Sequence, residues 1–190
     1  MRLHFLTVII ASTSLTSIAT ANEFQQELET LARTRIAELA KASEVVSAVI
    51  EQNRRTSSYT QADIQRLDAE WGEQARSINQ PMIDEVMDNA LSRLLVKKQE
   101  TSGGLFTEII VMDAKGLNVG QSELTSDFWQ GDESKWRETM LKGPGSLDIS
   151  DITQDESTQS IQSQVSLPVI DPATGEAIGA LTVGVNIEQL

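Results

Sequence analysis

Residues 161–187 read Ile161-Gln162-Ser163-Gln164-Val165-Ser166-Leu167-Pro168-Val169-Ile170-Asp171-Pro172-Ala173-Thr174-Gly175-Glu176-Ala177-Ile178-Gly179-Ala180-Leu181-Thr182-Val183-Gly184-Val185-Asn186-Ile187. Ile161, Ser163, Val165, Leu167 and Val169 share one face of an extended chain, as do Ile178, Ala180, Thr182 and Gly184. A period of two is that of a β-strand. Between the two runs, Asp171-Pro172-Ala173-Thr174-Gly175 supplies a preset φ at Pro, a residue tolerant of positive φ at Gly, and an Asp that bonds its own backbone. The stretch therefore predicts an antiparallel hairpin, and Asp171 is read as a turn residue.

Upstream the same grammar continues. Leu105 to Met112 is strand-like, Asp113-Ala114-Lys115-Gly116 is a turn, and Leu117 to Ser122 returns. A short helix is expected from Asp132 to Leu141, a break at Gly143-Pro144-Gly145, and a further strand from Ser146 to Ile152. Five strands, mostly hairpin-linked, predict an antiparallel sheet.

Before Gly103-Gly104 the period is helical. Phe24, Leu28, Leu31, Ile36, Leu39, Val46, Val49 and Ile50 recur at steps near three and four, predicting one long helix from Glu23 to Arg55. Thr60-Gln61-Ala62-Asp63 resembles a capping box that opens a second helix burying Ile64, Leu67, Trp71 and Ile78. Pro81 starts a third, which runs to Gln99 with Met82, Ile83, Val86, Met87, Ala90, Leu91, Leu94 and Leu95 on one face. The fold class is α+β, with a long N-terminal helix and two further helices packed on a five-stranded antiparallel sheet. The divisions expected are 1–21, 22–104 for the helices and 105–190 for the sheet.

Residues 1–21 carry the marks of a cleavable secretory signal: Arg2 at the start, an apolar run through Ala11, and Ala19-Thr20-Ala21 at the end. The apolar run is shorter than the roughly 20 residues of a spanning helix. A periplasmic chain starting near Asn22, with no membrane span and no anchor of its own, is the expectation. Its charge is strongly acidic, 28 Asp and Glu against 14 Lys and Arg once Arg2 is removed. Such a surface repels nucleic acid and anionic lipid. The chain has no Cys, and its one His, His4, leaves with the signal. That excludes disulfides, histidine triads, thiol nucleophiles and imidazole- or thiolate-held metals. An enzyme would have to rest on paired carboxylates or a Ser-Lys pair, and neither a glycine-framed serine elbow nor a phosphate loop is visible, so no catalysis and no cofactor are expected. The acidic groups Asp127, Asp132, Glu133 and Asp148, Asp151, Asp155, Glu156 lack the spacing of a calcium loop.

Several motifs carry a family resemblance. They are the Asp-Ala-Lys-Gly turn, the segment Thr125-Ser126-Asp127-Phe128-Trp129-Gln130-Gly131-Asp132-Glu133, the run Pro168-Val169-Ile170-Asp171, and the terminal strand Gly179-Ala180-Leu181-Thr182-Val183-Gly184-Val185. In this order they resemble the extracytoplasmic Cache or PDC sensor domains, over roughly half of the exported chain. The resemblance implies a PAS-like sheet with a long N-terminal helix, and a pocket for amines, carboxylates or amino acids between the sheet and the segment after the second strand. Membrane-embedded members continue from the last strand into a transmembrane helix. This sequence stops at Leu190, so the expectation is a stand-alone module that reports to a membrane receptor or sensor kinase by contact.

The candidate pocket wall is Phe128 to Arg137, where two of the three tryptophans, Trp129 and Trp136, fall beside carboxylates and bases. An indole face holds an alkyl or cationic group, Arg137 takes a carboxylate in a two-pronged bond, and Asp132 pairs with an amine. The competing reading makes both tryptophans packing anchors and Asp132 the cap of the short helix. In amino-acid-binding members an aromatic-x-Asp pattern on the third strand and an Asp on the last strand hold the ligand amine. The nearest positions here are Asp151 or Asp155 and Asn186. Asn186 lacks charge and no Tyr accompanies either Asp, so the pattern carries over only in part. A separate possibility is that the N-terminal helix dimerises or docks on a partner.

Overall fold

The structure, a computed structural model, describes residues 23–154 and 160–190. The expected signal and its expected cleavage point therefore lie outside the described residues, as do Asp155, Glu156 and Ser157. Among the described residues no helix is long and apolar enough to cross a membrane.

The N-terminal helix is segmented. α1 (Gln25–Leu31) passes through a π-helical turn, Ala32–Ile36, into α2 (Ala37–Ala40). Ala42 is extended, with φ −59° and ψ 136°, and α3 (Ser43–Thr56) restarts the helix beyond it. The long helix expected over Glu23–Arg55 is thus two pieces. The break lets each follow the twist of the sheet, α2 lying on the strand over 161–170 and α3 chiefly on the strands over 106–113 and 177–186. α4 (Gln61–Gln74) opens with the expected capping box, Thr60 and Asp63 each bonding the other's backbone N–H. It ends one turn before Ile78, which is fully exposed rather than buried. The Gln74 side chain accepts from the Met82 N–H at 2.8 Å, turning the chain into α5 (Pro81–Met87). The third helix is also divided. Asn89 stops the run, caps α6 (Ala90–Glu100) by accepting from the Ser92 N–H, and donates to the Val119 carbonyl.

The strands are β1 (Phe106–Asp113), β2 (Asn118–Gln121), β3 (Asp148–Ile149), β4 (Thr153–Gln154), β5 (Ile161–Ile170) and β6 (Ala177–Asn186), with a short helix α7 (Ser134–Arg137) after β2. All pairs are antiparallel, in the order β2-β1-β6-β5-β3, and β4 also pairs with β5. The strand expected over Ser146–Ile152 is replaced by the two short pieces β3 and β4. At the gap Ser150 Oγ accepts the Gln164 N–H, so a side chain stands where a ladder carbonyl is expected and the pairing is interrupted.

One face of the sheet carries the main core. Ile109, Val111, Val165, Val169, Leu181, Val183 and Val185 meet Leu28, Leu31, Ile36, Leu39, Val45, Val49 and Leu95 from the helices. The helical part and the sheet therefore share one interior. The apolar stripe of α1 and α2 lies within that interior. The opposite face bears a small cluster of Ile110, Met112, Ala180 and Trp136, and beside it a polar stripe.

Candidate functional site

The polar stripe arises from strand alternation. With Val165 and Val169 turned to the helices, Gln162, Gln164 and Ser166 of β5 turn the other way. A register shift between Phe106 and Glu108 of β1 re-aims Thr107 and Glu108 toward the same region. Gly184 of β6 lies beneath them, and a Cβ there would stand 2.7 Å from Gln162 Oε1 and 2.8 Å from Glu108 Cγ. The absence of a side chain at 184 is what lets these groups converge. Gln164 Nε2 donates to Glu108 Oε1 at 2.8 Å, and Thr107 Oγ1 donates to Gln162 Oε1.

The segment after β2 closes the other side, giving a cleft of about 250 Å³ lined from the loop by Glu123, Thr125, Ser126, Gln130, Glu133 and Lys135. Lys135 is almost wholly buried, its Nζ lying 3.1 Å from Glu133 Oε2 and 3.2 Å from Gln130 Oε1. Glu123 accepts from Gln99 Nε2 at 2.7 Å. Three carboxylates thus face one ammonium, which is already paired. Such a lining offers acceptors to a cationic or hydroxylated ligand and both donors and acceptors from its amides. Among the described residues no group of three or more His, Cys, Asp or Glu is placed to hold a metal ion.

The loop is fixed from behind by α4, by Asn118 and by the turn at 113–116. Asp68 of α4 accepts from the backbone N–H groups of both Phe128 and Trp129, each at 2.9 Å. Trp71, wholly buried, stacks on Phe128 with ring centroids 5.3 Å apart and donates to the Thr125 carbonyl. Asn118 Nδ2 lies 2.9 Å from both Gln121 Oε1 and Thr125 Oγ1. The turn at 113–116 is closed by Asp113, whose carboxylate accepts from the Lys115 and Leu117 N–H groups and from Thr56 Oγ1. Burial pushes the Asp113 carboxyl above the ordinary aspartate range, and those hydrogen bonds and the Lys115 ammonium act in the opposite direction. Gly116 has φ +83°, and a Cβ on it would come within 2.6 Å of the Gly131 nitrogen, so turn and loop are in backbone contact.

The expected wall from Phe128 to Arg137 borders the cleft, but through other members than those singled out. Trp129 donates its indole N–H to the Lys115 carbonyl at 2.8 Å. Trp136 donates to the Asp113 carbonyl at 3.0 Å and packs with Ile110, Met112 and Ala180. Asp132 and Arg137 are exposed. The short helix begins after Glu133, not Asp132, and no side chain caps it. Asn186 caps the terminal 3₁₀ turn (Ile187–Gln189) by accepting from the Glu188 N–H at 3.0 Å. Asp155 is outside the described residues. The cleft-facing members of the segment are Gln130, Glu133 and Lys135. For the floor of the cleft the available signal is Gln162, Gln164 and Ser166, polar residues alternating with Val165, Leu167 and Val169 along β5.

No family model matches the chain, and no curated protein matches it in sequence. Solved structures do. The sensor domain of the Vibrio cholerae histidine kinase DctB is 17% identical over 88% of this chain and 58% of its own, with a TM-score of 0.39. The sensory domain of the Campylobacter jejuni chemoreceptor Tlp3 with isoleucine bound is 16% identical over 90% of this chain and 65% of its own, with a TM-score of 0.40. The ligand-binding domain of the Pseudomonas fluorescens chemoreceptor CtaA in complex with L-serine is 11% identical over 65% of this chain and 58% of its own, with a TM-score of 0.39. This chain spans about six-tenths of the length of these structures. Each of the three is a sensory or ligand-binding domain of its own protein.

Proposed function

We propose that the chain is a periplasmic sensor or binding module that captures a small polar organic ligand in the cleft between the β1-β6-β5 face and the segment after β2, and reports it to a membrane receptor or kinase. The observation that carries the reading is the convergence of Glu108, Gln162, Gln164, Gln130 and Lys135 on one cavity floored by Gly184. With three carboxylates against one paired ammonium, the lining favours a ligand bearing an amine over a bare carboxylate. The apolar stripe of the first helix is covered by the chain's own sheet, which favours this reading over dimerisation through that stripe.

The test is thermal unfolding of the exported chain in a panel of amines, amino acids and carboxylates at millimolar concentration. A ligand at one hundred times its dissociation constant stabilises by about 2.7 kcal/mol. Glu108→Gln is expected to weaken an amine-bearing ligand about tenfold or more while leaving the unliganded melting temperature within a few degrees. A panel in which nothing moves the transition removes small-molecule capture as the function.

A further inference from the structure

Phe128 faces away from the polar cleft into a second cavity of about 230 Å³, open to solvent at one side and bounded by α3, α4, α5 and β2. Its body is apolar, formed by Leu67, Val86, Leu117 and Phe128. The polar groups on its floor are committed elsewhere: Gln52 Nε2 donates to the Asn118 carbonyl and Thr56 Oγ1 lies 2.8 Å from Asp113 Oδ2. The rim is different. Arg55 and Glu85 have side chains 55% and 76% exposed and face one another at 3.7 Å, while a second Arg55 nitrogen donates to Gln52 Oε1 at 3.1 Å. A guanidinium has five donors in a fixed fork, so these contacts leave it able to take a carboxylate, and an exposed pair at that distance contributes little. Apolar cavities on the order of 150 Å³ take up a benzene ring, so this one has room for a ring and a carboxylate.

We propose that this cavity is a second binding site, for a small organic acid with an aromatic or branched apolar body. The body lies among Leu67, Val86, Leu117 and Phe128, and the carboxylate replaces Glu85 on Arg55. An amine in the same place would meet only the highly exposed Glu85 carboxylate. The site is independent of what the polar cleft binds.

The test is titration of the isotope-labelled exported chain with benzoate, and in parallel with benzyl alcohol, read by amide chemical shifts. Saturable shifts are expected at residues 52–59, 82–89 and 117–119, with benzyl alcohol binding more weakly than benzoate. Arg55→Gln, at an exposed position, is expected to weaken benzoate about tenfold and leave benzyl alcohol unchanged. Arg137→Gln alters the net charge equally, away from the cavity, and is expected to hold benzoate within about twofold. Absence of saturable shifts at those amides, equal binding of the alcohol and the acid, or equal losses in the two arginine variants would each overturn the proposal.

Discussion

Asp113 has no solvent exposure, yet it holds three hydrogen bonds that define the turn on which the loop rests. Burial raises its carboxyl above the ordinary range, so the folded state favours the protonated form more than the unfolded chain does. Its contribution to stability is therefore complete below the unfolded value, near pH 4, and is lost as pH rises through the raised folded value. Asp113→Asn keeps an oxygen for the Lys115 and Leu117 N–H groups and places an amide against the Thr56 hydroxyl, which can accept. In urea unfolding from about pH 3 to 7, the stability of Asp113→Asn relative to the natural chain is expected to rise with pH and then level. A difference constant across that range would show that Asp113 titrates alike folded and unfolded. The sequence placed Asp113 in a turn and offered Trp129 and Trp136 as ligand-binding members of a pocket wall, with packing anchors as the competing reading. It did not disclose that both indoles donate to carbonyls of that same turn, because the partners meet only once the turn and loop are folded against each other.

Helix periodicity and strand alternation made the elements legible, and the irregular positions were not. The breaks at Ala42 and Asn89 fall inside continuous apolar patterns and answer to the twist of the sheet and to the Val119 carbonyl, neither of which is local. The same holds for the cleft. The loop segment was visible from its tryptophans, but Glu108, Gln162 and Gln164 are brought together only by the pairing of β1, β6 and β5 and by the register shift at Thr107. Gly184 of β6 is the element-level feature that permits this convergence. Gly184→Ala places a methyl against Thr107, Glu108 and Gln162, two of them polar groups already bonded to one another. A loss of about 1–3 kcal/mol in unfolding free energy is expected, with a weaker ligand response in the cleft. A variant with unaltered stability and unaltered response would show that the strand shifts freely to admit the methyl, and that the glycine is not what shapes the floor.

At the scale of the molecule, the question is whether the first helices are an appendage or part of the interior. Leu28, Leu31, Ile36 and Leu39 are all buried in the cluster that contains Val165, Val169, Leu181 and Val183, and Arg35 lies 4.9 Å over the Phe106 ring. Burying four such side chains is worth about 1.5–3 kcal/mol each, roughly 6–12 kcal/mol together. A whole domain of ordinary stability has about 5–15 kcal/mol. Removing residues 1–42 therefore takes away an amount comparable to the net stability and leaves the apolar face of β5 open to water. A chain beginning at Ser43 is expected to lose its cooperative thermal transition and to bind a hydrophobic dye, while a chain beginning at Asn22 keeps the transition of the intact fold. If the Ser43 chain melts at the same temperature and excludes the dye, the contacts of α1 and α2 with the sheet carry no stability. If it fails as expected, the helices and the sheet are one folding unit, and movement of α1 and α2 cannot be separated from the strands that form the floor of the cleft.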